Sequence, residues 1–292
     1  MTVLSVQHLS KKYGSITALR DVSFEVPAGT VFGILGPNGS GKTTLLGIVL
    51  DVLKATGGMF RLFGESPTHV HRQKIGALLE TPNFYHYLSG RKNLEVVASI
   101  KGKGEGDIEG VLKRVNLYDR RDSAFSTYSL GMKQRLAIAS SLLGSPEVLV
   151  LDEPTNGLDP VGIAEIRELI KSLSREGKTI IMASHLLDEV EKVCTHMALL
   201  KKGELLTTGK VTDILAQGDI VEVKGNARDI LSAYPGVTKI TTEDDLLQVY
   251  FDATGVSLKN INEYCFSKGV VLEHLTLKRK SLEARFLELT QN

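Results

Sequence analysis

The run Gly36-Pro37-Asn38-Gly39-Ser40-Gly41-Lys42-Thr43-Thr44 fits the Walker A pattern G-x-x-x-x-G-K-[ST], a spacing suited to phosphate. Its glycines let the backbone fold tightly, so that successive N–H groups face one anion. A helix beginning near Lys42 adds the positive end of its dipole. The Lys42 ammonium can reach the β- and γ-phosphates of a nucleotide. The Thr43 hydroxyl can ligate Mg2+, a hard cation that takes oxygen ligands.

A second pair of candidates closes the apolar run Val148-Leu149-Val150-Leu151, where Asp152 and Glu153 follow one another. Their roles should differ. Asp152, at the end of the strand, can hold Mg2+ directly or through a water, and Glu153 can act as general base on an attacking water. A third apolar run, residues 179–183, ends in Ser184-His185. That placement lets His185 reach the same edge, where a neutral imidazole could donate to the γ-phosphate.

These groups need a scaffold that gathers strand ends. Residues 30–35, 148–151 and 179–183 are continuous rather than alternating apolar runs, as in strands buried on both faces of a parallel sheet. Helical stretches at 43–53, 161–174 and 186–194 alternate with them, which predicts an α/β core. Open sheets of this kind bind ligands at the carboxyl ends of their strands. Ahead of the core, 3–9 and 22–26 read as strands, the second closed by the turn Pro27-Ala28-Gly29. Between about 82 and 144 the helical stretches 92–101, 108–115 and 132–143 follow one another without strands, an inserted helical subdomain. After residue 209 the order strand (220–224), helix (227–234), hairpin (237–242 and 246–251), helix (257–267), strand (270–277) predicts a small ferredoxin-like βαββαβ domain. A last helix is expected at 282–289. The expected division is therefore a nucleotide-binding domain, 1–212, and an accessory domain, 213–292.

Composition narrows the partners. Hydrophobic residues at 42% and charged residues at 24% argue against disorder. A formal net charge of +1 gives no electrostatic reason to expect nucleic acid. Cys194 and Cys265, far apart, exclude a disulfide framework and fit a reducing compartment. No apolar run approaches the ~20 residues of a spanning helix, and the first residues lack the apolar core of a signal peptide. Any membrane is expected to be met through a partner.

Taken together, residues 1–209 resemble the nucleotide-binding domain of ATP-binding cassette proteins. The segment Tyr128-Ser129-Leu130-Gly131-Met132-Lys133-Gln134-Arg135 is similar to the family signature L-S-G-G-Q. Ser129 and Gly131 match it, and Leu130 and Met132 depart from it. Tyr13, in Lys12-Tyr13-Gly14, resembles the aromatic that stacks on adenine. Gly157-Leu158-Asp159 resembles the D-loop at the family's dimer interface, and His185 the switch histidine. Where the family usually has glutamine, this chain has Glu80, which keeps an oxygen for Mg2+ or water. Glu80, the aromatic run Phe84-Tyr85-His86-Tyr87 and the stretch 281–290 resemble the exporter ATPases for lantibiotics, bacitracin and similar peptides.

The resemblance implies ATP and Mg2+ as ligands and a head-to-tail homodimer holding two ATP molecules between phosphate loop and signature. It further implies a separate transmembrane permease and a place on the inner face of the cell membrane. A cassette ATPase acting on ribosomes or DNA is the rival reading. The single Walker A motif and the lack of sustained heptads count against it.

Overall fold

The computed structural model describes residues 1–79, 83–216, 220–251, 256–278 and 282–291, and of 216 and 288–291 the backbone only. The chain divides into two compact units, Met1–Thr208 and Gly209–Asn292.

The first unit opens with a long hairpin, β1 (Thr2–Tyr13) and β2 (Ile16–Pro27). Both strands outrun the short stretches expected from apolar pattern. Pairing carries the ladder through polar residues as far as Tyr13 opposite Ile16, where Gly14 turns the chain at φ +57°. Strand β3 (Val31–Leu35) leads into the phosphate loop and α1 (Lys42–Val49). Helix α1 stops short of the expected 43–53. Asp51 takes a left-handed φ of +62°, and the amides of Val52 and Leu53 turn back onto the Gly47 carbonyl. Strand β4 (Gly57–Leu62) then pairs with β1, completing an antiparallel sheet of order β2-β1-β4.

A short helix, α2 (His69–Gln73), precedes β5 (Ile75–Leu78). The helical insertion follows as α3 (Gly90–Lys101), α4 (Ile108–Arg114) and α5 (Leu130–Leu142). The core resumes with β6 (Val148–Asp152), α6 (Pro160–Arg175), β7 (Thr179–Ser184), α7 (Leu187–Val193), β8 (His196–Lys201) and β9 (Glu204–Lys210). The second sheet has the order β5-β6-β7-β3-β8-β9, with its first four neighbouring pairs parallel. Every residue of β3, β6 and β7 is buried, as their continuous apolar runs require.

The two sheets share one core, in which the Phe24 and Phe32 rings stack at 5.4 Å. Each large aliphatic side chain buried there contributes about 1.5–3 kcal/mol. Helices α6 and α7 are joined by a bidentate pair, Arg167 to Glu189 at 2.8 and 3.2 Å.

The second unit contains α8 (Val211–Ala216), β10 (Ile220–Lys224), α9 (Arg228–Ser232), β11 (Val237–Glu243), β12 (Leu246–Phe251), α10 (Leu258–Ser267), β13 (His274–Lys278) and α11 (Leu282–Gln291). Its sheet has the order β11-β12-β10-β13, antiparallel throughout. That order and polarity are those of a ferredoxin-like split βαβ. Val221, Val223 and Val249 face a core with Leu231, Ile261 and Cys265. Strand β13 is shorter than the expected 270–277. The Val270 amide closes the end of α10 on the Cys265 carbonyl, which takes that stretch out of the ladder.

Candidate functional site

The strand order explains the site. Strands β6 and β7 lie side by side, β7 and β3 likewise, so three carboxyl ends form one edge. From β3 the chain enters the phosphate loop, where Gly36, Gly39 and Gly41 have φ of +153°, +78° and +104°. At Gly36 a Cβ would fall 2.2 Å from the Leu200 carbonyl oxygen and 2.5 Å from Ser40 Oγ. At Gly41 it would fall 2.6 Å from the Ala18 carbonyl oxygen. Only glycine fits these two points. Pro37, Asn38 and Gly39 are exposed at the tip, whereas Ser40 is buried.

The Lys42 side chain is only 5% exposed, and its ammonium donates to the Gly36 carbonyl at 2.8 Å and to that of Pro37 at 3.3 Å. Thr43, in the first turn of α1, is exposed, and Thr44 is half-buried. A contributor that sequence reading missed is Gly203, in the turn between β8 and β9. Its amide donates to the Ser40 carbonyl at 3.0 Å and its carbonyl accepts from Arg20, which ties the loop to β2. The Lys202-Gly203 turn after a buried strand was the available signal.

Asp152 is buried at the end of β6. Glu153 leaves the strand at φ +47°, a left-handed conformation that costs a non-glycine residue about 1–3 kcal/mol. Two backbone bonds hold it there: its amide donates to Ala183 of β7 at 3.0 Å, and its carbonyl accepts from Asn156 at 3.1 Å. The result aims the carboxylate across the edge. Glu153 Oε2 lies 2.8 Å from His185 Nδ1, and Oε1 lies 3.5 Å from Lys42 Nζ. His185 is set by its own turn, in which the Leu186 amide donates to buried Ser184 Oγ at 3.0 Å. The structure thus gathers the phosphate loop, Glu153 and His185 into one chain of contacts. With its Nδ1 proton committed to Glu153, a neutral His185 ring presents Nε2 as an acceptor. It can donate to a phosphate only after leaving Glu153, whereas an imidazolium can donate to both.

The remaining candidates lie elsewhere on the unit. Ser129 caps α5, accepting from the Met132 amide at 3.3 Å. With Gly131 it lines a groove of about 450 Å3 shared with Gly157, Leu158 and Asp159. Asp159 caps α6 through the Gly162 amide at 2.9 Å. Tyr13 ends β1, 44% exposed, with Lys11 Nζ 4.7 Å from its ring. Glu80 lies outside the described residues. Of the aromatic run, Phe84 packs edge-on against Phe125 at 5.2 Å, while Tyr85 and Tyr87 stay exposed.

The chain is similar to known proteins along most of its length. The ABC transporter family pattern matches residues 19–156. The bacitracin transport ATP-binding protein BcrA of Enterococcus faecalis is 35% identical over 98% of this chain and 96% of its own length. The lantibiotic transport ATP-binding protein SrtF of Streptococcus pyogenes is 41% identical over 70% of this chain and 89% of its own. Among solved structures, cbiO1 of Clostridium perfringens, part of the transporter complex cbiONQ, aligns with a TM-score of 0.67 at 30% identity. That alignment covers 74% of this chain and 91% of cbiO1. The ATP-binding cassette MJ0796, solved as a dimer in a post-hydrolysis state with ADP and phosphate, aligns at 0.64 and 27% identity. It covers 71% of this chain and 98% of the cassette.

The chain therefore belongs to the ABC transporter family, as one of its ATP-binding proteins. Within that family it is an ATP-hydrolysing transport subunit, and none of these relatives supports the rival reading of a ribosome- or DNA-directed cassette. Among the described residues no helix is long and apolar enough to cross a membrane.

Proposed function

We propose that the chain drives export of a peptide antibiotic or similar compound through a separate transmembrane permease, as a homodimer on the cytoplasmic face of the membrane. The named substrates of BcrA and SrtF support the cargo class, and the dimeric cassette MJ0796 supports the assembly. The observation that carries the catalytic reading is Glu153, held between Lys42 and His185.

The backbone amides of residues 36–44 cradle the β- and γ-phosphates, and Lys42 exchanges its loop carbonyls for phosphate oxygens. Glu153 takes a proton from the attacking water, at Oε1 once Lys42 has turned away. His185 positions that carboxylate and then meets the γ-phosphate. Thr43 and Asp152 offer hard oxygens at the same edge, a donor set that fits Mg2+ sharing its remaining positions with phosphate and water. Bound there, the ion would neutralise charge on the phosphate oxygens. Tyr13 stacks on the adenine. Ser129 and Gly131, at the start of a helix of 13 residues, contact the γ-phosphate held by the opposite subunit, and Asp159 lies at that interface. Glu80 stands in the segment that couples the site to the permease. The unit Gly209–Asn292 serves as an accessory domain.

Glu153→Gln tests this directly. The expected outcome is unchanged ATP affinity, phosphate release lowered by about 10²–10⁴-fold, and an ATP-stabilised dimer on size-exclusion chromatography. Parent-rate turnover would remove Glu153 from the role of base.

A further inference from the structure

The first unit carries a groove of about 400 Å3, between α2 and α3, that none of the chemistry above uses. Its floor is apolar, with Leu143 and Pro146 buried and Ile75 half-buried. Its wall holds His69, Arg72, Lys101 and Lys103, with no carboxylate among the lining residues. Lys101 closes α3 and is half-buried. Its Nζ donates to the Ser140 and Leu143 carbonyls at 2.7 and 3.5 Å, two acceptors left over at the end of α5. Lys103 Nζ donates to the Gln73 carbonyl at 2.6 Å. Arg72 meets Asp51, outside the lining, at 3.1 Å.

Capping α5 explains where the Lys101 nitrogen sits. It does not explain the cations gathered beside it. A carbonyl accepts from an amine as well as from an ammonium, so these partners leave the proton count open. A neutral amine has two hydrogens, one for each carbonyl, and keeps a lone pair for reaction. The surroundings favour that form: burial, and then the Lys103 charge, lower Lys101 to about 8. At pH 8 about half of Lys101 is then free amine, against about 0.4% of an ordinary lysine. Desolvation and a cationic neighbour are the two conditions that make a lysine a nucleophile.

The neighbouring cations also select the reagent. An acyl phosphate carries its phosphate one oxygen away from the reacting carbonyl, so one groove can hold both ends. Large thioester carriers keep their phosphates many bonds from the acyl group. Arg72 and Lys103 suit a compact phosphate, and the apolar floor suits a short acyl chain.

We propose that Lys101 is an acylation site for small acyl phosphates, docked by Arg72 and Lys103. The Nζ lone pair attacks the acyl carbon, an N–C bond forms, and the C–O bond to phosphate breaks. Phosphate leaves with that electron pair, and the surplus proton on nitrogen passes to water. The product amide keeps one N–H for the Ser140 carbonyl, sets its acyl chain on the apolar floor and removes a positive charge from the groove.

The test treats the purified full chain with acetyl phosphate at pH 8 and follows every lysine by quantitative mass spectrometry. Lys101 should acetylate at least fivefold faster than the median lysine and lose that lead in urea. Inorganic phosphate should slow Lys101 and leave the median rate unchanged. Arg72→Gln combined with Lys103→Gln should leave ATP hydrolysis unchanged. The same pair should cut the Lys101 rate with acetyl phosphate at least fivefold more than its rate with a neutral N-hydroxysuccinimide ester. In chain taken from its own cells, acetyl occupancy at Lys101 should exceed the median. A rate at or below the median, a lead that survives urea, indifference to phosphate, or an equal fall with both reagents would each overturn the proposal. So would an unmodified Lys101 in cell-derived chain whose other lysines carry acetyl groups.

Discussion

The phosphate edge of the first unit and the sheet of the second are built from the same materials and treat polar groups in opposite ways. At the phosphate edge, Lys42, Asp152 and Ser184 are buried, and Glu153 is held in a left-handed backbone conformation. In the second unit, polar side chains sit on the sheet face opposite the core and satisfy one another. Lys278 donates to Glu222 at 2.8 Å, and the Tyr250 hydroxyl to Gln248 at 3.1 Å. The positive φ values at Asp244 and Asp245 belong there to a hairpin turn, where aspartate tolerates them. The candidate phosphate edge thus combines buried charge with one left-handed glutamate, while the second unit follows ordinary sheet economy.

The sharpest way to break this contrast is Gly36→Ala. The added methyl meets the Leu200 carbonyl at 2.2 Å at a φ of +153°, so ATP binding should fall below detection by fluorescent-nucleotide titration. Retained binding would mean that the loop tolerates a shape it does not have here. Next is Ile261→Ala in the second unit, at a fully buried position. It should destabilise that unit by about 2–5 kcal/mol in chemical denaturation while KM for ATP holds. A matching loss of ATP affinity would show that the units are not energetically separate. The smallest effect concerns the thiols. Burial pushes both Cys194 and Cys265 up, so little thiolate exists near pH 8. Native protein should resist iodoacetamide there and react at both positions after denaturation, as read by mass spectrometry.

The motifs of the candidate site were legible in the chain because they are local. The phosphate loop, the Asp152-Glu153 pair and the cap at Ser129 each occupy a few consecutive residues. The ferredoxin-like order was legible too, because its strands are short, patterned and separated by turn residues. What could not be read depends on distant partners. Strands β4, β5, β8 and β9 were missed; β4 is half-exposed and pairs with residues nearly sixty positions earlier, as with Leu62 opposite Leu4. The hold of Glu153 on His185 was also hidden, since it arises from the placing of β6 beside β7. The ends of α1 and β13 were misjudged because a backward hydrogen bond, not a side-chain pattern, stops each element.

Strand β7 sits between β6 and β3, so the acid-bearing strand and the phosphate-loop strand stand two ladder spacings apart, about 9–10 Å. That gap is set by amide-to-carbonyl bonds, which side-chain substitution leaves in place. The sheet therefore works as a fixed gauge, and Lys42 and Glu153 are the jaws that reach in from either side. Evolution can lengthen or shorten the jaws, but retuning the gauge itself would require a different order of strands.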